Sequence, residues 1–264
     1  MQAQWTCIVL AGQRPGPDML AQHFGLEHKA LVPVCGEPMI CHVVRTLHLS
    51  PHIGKIIILS QDIEHLRSAV DAAGGAILVE SQNSISLSIK AQAETLGFSS
   101  PLLVTTADHP LLTVAMIDEF VRHADGDVAV AMVERQTMLK QFPDAQRTWL
   151  RFSDGAWSGA NLFALMSQKS SFALELWAGA EQDRKKAWRL FLHFGLLLAI
   201  RALTRSIGLH QALEKAGKRL GLDARLVPMS DPVAAIDVDK LSDHLLAENI
   251  LMERKVRSGD TEAV

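Results

Sequence analysis

Five short apolar runs, each bounded by turn residues, alternate with stretches of helical spacing along the first half of the chain. The runs are CIVLAG near residue 7, KIIILS at 55, AILVE at 76, PLLVTTAD at 101 and DVAVAMVE at 127. Uninterrupted runs of this length are typical of parallel strands that are buried on both faces. Because strand and helix alternate, the sequence predicts an α/β fold with an open, mostly parallel sheet flanked by helices.

The pattern changes after residue 145. An antiparallel hairpin attached to the sheet is predicted from the runs RTWLRF and WSGANLFAL, which are joined by a turn at Asp154-Gly155. A helical pattern then extends over 183–220 and is expected to stop at Gly221. RLVPM predicts a strand, AAIDV predicts a short final strand, and 241–252 predict a closing helix.

These elements show no internal repeat and no long linker. We therefore expect a single domain over residues 1–256, with a helical insertion at about 170–222 and a disordered tail at 257–264. The length of 264 residues and the 48% hydrophobic content are enough for a sizeable core. The three cysteines form no CxxC pair, which favours a reducing cytoplasm over a disulfide framework, and the first residues show no signal-peptide pattern.

Charge is distributed unevenly although the formal net charge is only −3. Residues 184–225 contain ten Lys or Arg and two acidic residues, so the rest of the chain is acidic. This basic segment predicts a local anionic partner such as a phosphate-rich substrate, an acidic protein surface or anionic lipid, whereas the overall charge does not favour nucleic acid. The apolar stretch 190–203 is too short to span a bilayer. Peripheral membrane contact through about 184–205 is one interpretation of this segment. The alternative is that its apolar residues pack on the sheet or across a homodimer while its cations are solvated.

A glycine-containing loop follows the first predicted strand. Gly12 and Gly16 permit unusual backbone geometry, and Arg14 adds a cation. Such a loop at the carboxyl end of a strand can bind phosphate through backbone N–H groups, although an ordinary strand-to-helix turn has the same composition. The loop matches neither the dinucleotide GxGxxG pattern nor the P-loop. Lys29 follows about 15 residues later, either as a second phosphate-binding cation or as a surface lysine.

Carboxylates are predicted near the same edge of the sheet. Asp108 follows the fourth strand, where it either helps to bind Mg²⁺ (or Mn²⁺) beside phosphate oxygens or caps the next helix. Asp237 and Asp239 are two residues apart, so both side chains can face one side of a strand end, and capping is again the alternative.

Taken together, these motifs resemble the MobA-like nucleotidyltransferases, relatives of the molybdenum-cofactor and sugar-phosphate nucleotidyltransferases. The residues that match the family pattern are Leu10, Ala11, Gly12, Arg14, Lys29, Leu31, Gly36, Pro38, Met39, Asp108, Pro110, Leu111, Leu112, Asp237, Asp239 and Asp243. The resemblance implies a Rossmann-like sheet of the GT-A type, nucleotide binding by residues 10–14 and Lys29, and a Mg²⁺ site at Asp108 with Asp237 or Asp239. It also implies a catalytic role for Arg14, Lys29 and Asp108.

The chain departs from the family pattern at several positions. Gln13 replaces the usual second small residue of the loop, and Lys240-Leu241 replaces Thr-Pro, so the metal ligand is either Asp237 or Asp239. Ser86 and Ser88 lie where relatives contact the base and ribose, but the segment lacks the glycine of many members. The resemblance places Asn161 where relatives orient the acceptor, and a polar turn role is the alternative. His109 adjoins Asp108 and is a second candidate for contact with the acceptor, with a structural role as the alternative.

The resulting functional hypothesis is transfer of NMP from an NTP, with CTP or GTP favoured, to a phosphorylated small molecule or lipid precursor. The acceptor oxygen attacks the α-phosphorus and pyrophosphate leaves. Two alternatives from other classes remain: a metal-dependent glycosyltransferase, whose usual DxD motif is reduced here to a single Asp in TTADHP, and a nucleotide-binding or membrane-docking module without activity.

Overall fold

A computed structural model describes residues 4–13, 16–82, 84–145, 147–182 and 196–259. Its strands are β1 (Trp5–Leu10), β2 (Pro33–Val34), β3 (Glu37–Pro38), β4 (Ile53–Ser60), β5 (Ile77–Glu80), β6 (Leu102–Thr106), β7 (Val128–Glu134), β8 (Leu150–Phe152), β9 (Gly155–Leu165) and β10 (Ala224–Pro228). Its helices are α1 (Met19–His23), α2 (Met39–Leu49), α3 (Ile63–Ala72), α4 (Ile85–Thr95), α5 (Val114–His123), α6 (Arg135–Gln141), α7 (Ser170–Gln182), α8 (Leu196–Leu203), α9 (Leu209–Arg219) and α10 (Leu241–Gly259).

Eight strands of the described residues form a sheet in the order β10, β7, β9, β6, β1, β4, β5, with β8 paired to β9, and β2 and β3 form a separate antiparallel pair. Strand β1 is parallel to β4 and β6, β4 to β5, and β7 to β10. Strand β9 is antiparallel to β6, β7 and β8. The mostly parallel sheet and the antiparallel hairpin are confirmed, and the sheet has the predicted Rossmann-like character.

Alternation along the central strands places the core on both faces of the sheet. In β1, Cys7 and Val9 pack into one apolar cluster and Ile8 packs into another on the opposite face. Helix α2 buries Met39 and Leu47 completely, as its helical spacing predicts. Burial on both faces explains why these strands read as continuous apolar runs rather than as alternating ones.

The predicted final strand at AAIDV is wrong. Residues Pro232–Ala235 form a 3-10 helix, and residues 236–240, which lead to α10, have no regular secondary structure. Pro232 fixes its own φ and lacks an N–H, and the carboxylate of Asp231 accepts a hydrogen bond from the Val233 N–H at 2.9 Å. Asp231 therefore caps a helical turn at 232–235 in place of the predicted strand.

The helical pattern of 183–220 is interrupted. In its described part, α8 ends at Leu203 and α9 starts at Leu209, and Arg205 between them has a φ of +54°. Helix α9 ends before Gly221, whose φ of +74° is the left-handed conformation that glycine tolerates, as predicted. Residues 183–195 lie outside the described residues.

The closing helix is longer than predicted. Helix α10 continues to Gly259, so the expected disordered tail at 257–264 is wrong for its first three residues, and 260–264 lie outside the described residues. The division into one domain with a helical insertion at about 170–222 stays a prediction. Among the helices of the described residues, none combines the length and apolar character needed to cross a bilayer.

Candidate active site

The carboxyl ends of three neighbouring strands define the candidate site. Leu10 at the end of β1 pairs with Leu59 of β4 on one side and with Thr106 of β6 on the other. Beyond the strand ends, the Ala11 N–H donates to the Leu59 carbonyl and the Ala107 N–H to the Leu10 carbonyl, each at 2.9 Å. The loop after β1 therefore emerges beside the residues that follow β6, which include Asp108.

Gln61 holds the loop after β1 in place. Its side-chain oxygen accepts from the backbone N–H of Gln13 at 2.9 Å, and its amide nitrogen donates to the Gln13 carbonyl at 3.2 Å. A Cβ atom on Gly12 would lie 2.8 Å from the same Gln61 oxygen. A side chain at position 12 would therefore displace the Gln61 amide from its hydrogen bonds to Gln13.

Gln13 also connects this loop to Lys29. The Gln13 side-chain oxygen accepts from the Lys29 backbone N–H at 3.2 Å, and its amide nitrogen lies 3.0 Å from Nδ1 of His28. The residue that departs from the family pattern is thus hydrogen-bonded to two consecutive residues of a distant segment. This contact fixes the start of the 3-10 helix at Lys29–Leu31, which carries the Lys29 ammonium.

The Lys29 ammonium joins two carboxylates. It donates to Asp108 Oδ2 at 2.7 Å and also to Asp239 Oδ1. Burial acts to lower the pKa of Lys29, but the charges and hydrogen bonds of the two carboxylates outweigh it and the pKa is raised. Lys29 is therefore cationic at neutral pH, which suits it to hold anionic groups at this edge.

These two carboxylates form a cluster with a third, Asp237. One oxygen each of Asp108, Asp237 and Asp239 lies within 4.8 Å of the others. The Val238 N–H donates to the Asp108 carbonyl at 2.9 Å, so the segment after β10 is tied directly to the end of β6. Oδ1 of Asp108 is buried and makes no hydrogen bond among the described residues, which leaves it available to a cation.

Asp237 differs from the other two carboxylates because both of its oxygens accept hydrogen bonds, from Arg147 and Asn161 rather than from Lys29. Arg147 donates to its Oδ1, and Asn161 donates to its Oδ2 at 3.3 Å. Burial acts to raise the pKa of Asp237, but the charge and hydrogen bond of Arg147 outweigh it, so the pKa is lowered. Arg147 also lies 4.0 Å from Asp243. Asp239 is the more accessible carboxylate, with 65% of its side chain exposed.

A backbone irregularity aims Asn161 at Asp237. Asn161 has a φ of +49°, and the register of β9 against β7 shifts near this residue. Asparagine tolerates this conformation better than most residues do, and strand irregularities of this kind redirect a side chain. The structure therefore brings Asn161 to the carboxylate cluster, and its contact with an acceptor stays a prediction.

The sequence pattern of the MobA-like NTP transferase domain matches residues 7–220 of this chain. The chain belongs to this family. The 3-deoxy-manno-octulosonate cytidylyltransferase of Geotalea uraniireducens (strain Rf4) is 29% identical to this MobA-like chain over 119 residues, which are 45% of the chain and 47% of that protein. The chain thus spans about half the length of this curated relative.

Solved structures show the same fold. A hypothetical transferase from Thermus thermophilus is 25% identical, with a TM-score of 0.77 and coverage of 91% of this chain and 99% of that one. A CMP:2-keto-3-deoxy-manno-octonic acid synthetase complexed with CTP is 13% identical, with a TM-score of 0.58 and coverage of 95% and 100%. The second likeness shows the fold alone.

In this MobA-like domain the predicted nucleotide residues fall into three groups. Residues 10–13 and Lys29 lie together at the sheet edge, while Arg14 lies outside the described residues. Ser86 and Ser88 are buried at the start of α4, where the Ser88 hydroxyl donates to the Ser84 carbonyl and accepts from the Gln82 N–H, both at 2.8 Å. The predicted contact of these serines with base or ribose therefore stays a prediction.

His109 follows Asp108 but is fully buried. Burial lowers its pKa to about 4, and the nearby charges of Asp108 and Asp237 offset only part of that effect. The ring is therefore neutral at physiological pH. Its predicted contact with the acceptor stays a prediction.

Sequence reasoning missed Arg147 and Gln61. Arg147 lies before the hairpin in no recognisable motif, and Gln61 directly follows β4. The position of Gln61 at the carboxyl end of a buried strand is a signal that can be read from sequence, because such ends meet at one sheet edge. The role of Arg147 depends on a long-range contact with Asp237 that no local pattern shows.

The Arg147–Asp237 pair makes a prediction for stability. Asp237→Asn should lower the free energy of unfolding at pH 7 by about 3 kcal/mol, because Arg147 loses a buried anionic partner. The folded pKa of Asp237 is below its ordinary value of 3.8, so its contribution is present above that pH and is lost as the pH falls through the folded pKa. Urea unfolding between pH 7 and pH 2.5 should show a shallower acid-side decline for the variant. Parallel curves would contradict this assignment.

Proposed function

We propose that this chain transfers NMP from an NTP to a phosphorylated small molecule or lipid precursor and releases pyrophosphate. The observation that carries the proposal is the Lys29 ammonium held between Asp108 and Asp239, directly beside the loop that follows β1. Cation, paired carboxylates and loop backbone are the groups needed to position a triphosphate and to neutralise its charge.

The carboxylate cluster suits a hard divalent cation. Mg²⁺ prefers oxygen ligands and commonly uses one or two carboxylates together with phosphate oxygens, and Mn²⁺ accepts the same donors. The unpartnered oxygen of Asp108 and the accessible carboxylate of Asp239 are the two ligands that we assign. Asp237 is assigned to Arg147 and Asn161 instead. A bound Mg²⁺ supplies charge neutralisation at the phosphate oxygens.

The protein groups position the reactants. When a triphosphate binds, the Lys29 ammonium moves to its oxygens from Asp108 and Asp239. The ammonium, these two carboxylates and the bound triphosphate all lie at the same edge of the sheet, and Lys29 remains cationic. The backbone after β1, fixed by Gln61, lines the phosphate path. An acceptor oxygen then attacks the α-phosphorus, the bond from that phosphorus to the oxygen bridging toward the β-phosphorus breaks, and the electron pair leaves with pyrophosphate. An acceptor phosphate is already ionised, so this step requires no general base.

CTP is the nucleotide that we favour, with GTP as the second choice. The curated relative is named as a cytidylyltransferase, and the second solved structure contains CTP. The acceptor is proposed only as a class. A phosphate monoester supplies the nucleophilic oxygen, and the basic segment 184–225 offers charge complementarity to a phosphorylated or lipid-linked molecule.

Transfer of label tests the proposal. CTP and GTP labelled at the α-phosphate are mixed with Mg²⁺ and a panel of sugar phosphates, polyol phosphates and lipid-precursor phosphates. The proposal expects the α-label on an acceptor and one pyrophosphate for each labelled product. Transfer of sugar from a sugar nucleotide with release of a nucleotide would identify a glycosyltransferase. Tight nucleotide binding with no turnover across the panel would favour a non-enzymatic module.

We propose an anionic membrane surface as the partner of α8. This helix exposes Leu197, Ile200 and Leu203, which are 68%, 47% and 85% exposed, within the basic part of the chain. Exposed aliphatic residues among cations suit the headgroup boundary of an anionic bilayer. The proposed contact covers about residues 184–205, of which 184–195 lie outside the described residues.

Sedimentation with anionic vesicles tests this surface. The protein should sediment with them at low salt and be released as salt screens the attraction. Leu203→Glu should weaken binding about tenfold or more, since it removes one apolar side chain and adds a repelled charge. Leu49→Glu, at a similarly exposed leucine on α2, is the control and should bind normally. Vesicle binding unchanged by Leu203→Glu would contradict the proposal, and a concentration-dependent dimer lost in that variant would favour the homodimer.

A further inference from the structure

A second cluster of potential metal ligands includes His28, the residue that precedes Lys29, and shares no member with the carboxylate cluster. One ligand atom each from Glu27, His28 and His65 lies within 4.8 Å of the others. The rings of His28 and His65 have centroids 4.9 Å apart. Glu27 and His65 are exposed and His28 is half-buried, so the cluster is accessible from solvent.

Two imidazoles and one carboxylate are a donor set for a transition metal rather than for Mg²⁺. Zn²⁺ is bound by such sets, with a fourth position open to water, and its tetrahedral ligands lie about 3.4 Å apart. The side chains therefore need to close by about 1.5 Å at most, and two of the three are on the surface where they can rotate. Imidazole nitrogen distinguishes this cluster from the all-carboxylate cluster at Asp108.

Asp62 orients His65. Nδ1 of His65 lies 2.6 Å from Oδ2 of Asp62, so this nitrogen donates the hydrogen bond and Nε2 retains its lone pair. A carboxylate that accepts from the second ring nitrogen is the usual support of a metal-binding histidine, because it fixes the tautomer and increases the basicity of the ligating nitrogen.

His28 couples the cluster to Lys29. The Gln13 oxygen accepts from the Lys29 N–H, so the Gln13 amide nitrogen must donate to Nδ1 of His28. The His28 proton then lies on Nε2, which is 3.4 Å from Asp62. When a metal binds Nε2 of the neutral ring, the proton on Nε2 is lost to solvent and the ring takes up a proton from solvent at Nδ1, where it would face the Gln13 amide nitrogen. The Gln13 amide must then rotate and give up its bond to the Lys29 N–H.

We propose that Glu27, His28 and His65 form a binding site for Zn²⁺ or a similar transition-metal ion, and that occupation of this site releases the Lys29 backbone from Gln13. The ion thereby alters the segment that carries the Lys29 ammonium. Metal availability becomes a regulatory input beside the candidate active site.

Calorimetric titration of the full-length chain with Zn²⁺ at fixed pH tests the site. The titration is repeated in the Asp108→Asn variant, which removes competition from the carboxylate cluster. This variant is expected to bind one equivalent of Zn²⁺ at Glu27, His28 and His65. His65→Ala, an exposed position, should weaken this binding at least tenfold without changing the melting temperature by more than a few degrees. His123→Ala is the matched control, since His123 is an exposed histidine at the end of α5.

Amide and histidine side-chain NMR tests the coupling without reference to enzymatic activity. Zn²⁺ should shift the Lys29 amide signal and move the His28 proton from Nε2 to Nδ1 in the wild-type chain, and should do neither in His65→Ala. Zinc affinity unchanged by His65→Ala, or binding that disappears in Asp108→Asn, would overturn the site. A Lys29 amide signal unmoved at zinc saturation would overturn the coupling.

Discussion

Asp108→Ala should lower kcat/KM for nucleotidyl transfer by about a thousandfold or more. The physical reason is that Asp108 Oδ1 is the buried, unpartnered oxygen that we assign to the metal. Loss of a metal that stabilises charge at the phosphate oxygens costs several kcal/mol of transition-state stabilisation, and each 1.36 kcal/mol is a factor of ten. Steady-state pyrophosphate release over a range of Mg²⁺ concentrations measures the effect.

The control for Asp108→Ala is Asp71→Ala, because Asp71 is an exposed aspartate on α3, outside the carboxylate cluster. This control should retain normal turnover. Circular dichroism and the melting temperature of Asp108→Ala should show a folded protein, since Asp108 is only partly buried. Retention of more than about a tenth of the wild-type rate would remove Asp108 from the metal site.

Lys29→Ala should reduce kcat/KM about a hundredfold and at the same time strengthen the binding of Mg²⁺ to the nucleotide-free protein. The first effect follows from loss of a fixed cation beside the triphosphate. The second follows because the Lys29 ammonium no longer bonds to Asp108 and Asp239, whose facing charges then attract a divalent ion. Turnover assays and Mg²⁺ titration measure the two effects separately.

Lys55→Ala is the matched control for Lys29→Ala, because Lys55 is an exposed lysine on β4 that pairs with no carboxylate of the described residues. It should change neither turnover nor Mg²⁺ binding. If Lys29→Ala lowered turnover but left Mg²⁺ binding unchanged, the ammonium would not compete with the metal. Unchanged turnover would exclude Lys29 from the triphosphate site.

Local sequence patterns predicted the sheet because its central strands are buried on both faces. The run AILVE has the same apolar character, but β5 lies at the edge of the sheet and its Ile77 is 49% exposed, so the predicted burial of that strand is wrong. Burial produces the uninterrupted apolar runs of β1, β4, β6 and β7, and these runs can be recognised in a single sequence. The final strand failed because AAIDV has the same apolar character, while the capped turn at Asp231 and Pro232 decides its conformation. The apolar character of AAIDV therefore indicates that these residues are buried, but not that they pair as a strand.

The candidate site was predictable where its residues follow strand ends or match family motifs. Asp108, Asp239 and Lys29 were found in this way, and the structure brings them together. The choice between Asp237 and Asp239 was open, because it depends on Arg147, which is 90 residues distant in sequence from Asp237. Gln13 was read as a departure from a small residue, since its bonds to His28 and Lys29 exist only in the folded chain.

The Mg²⁺ dependence of CTP affinity is the most direct measurement of the central proposal. Titration calorimetry with and without Mg²⁺ should show tighter binding with the ion in the wild-type chain and in any folded Asp237→Asn protein. Asp108→Asn and Asp239→Asn should each abolish this gain. CTP affinity that is independent of Mg²⁺, or a gain that is lost in Asp237→Asn and kept in Asp239→Asn, would contradict the account.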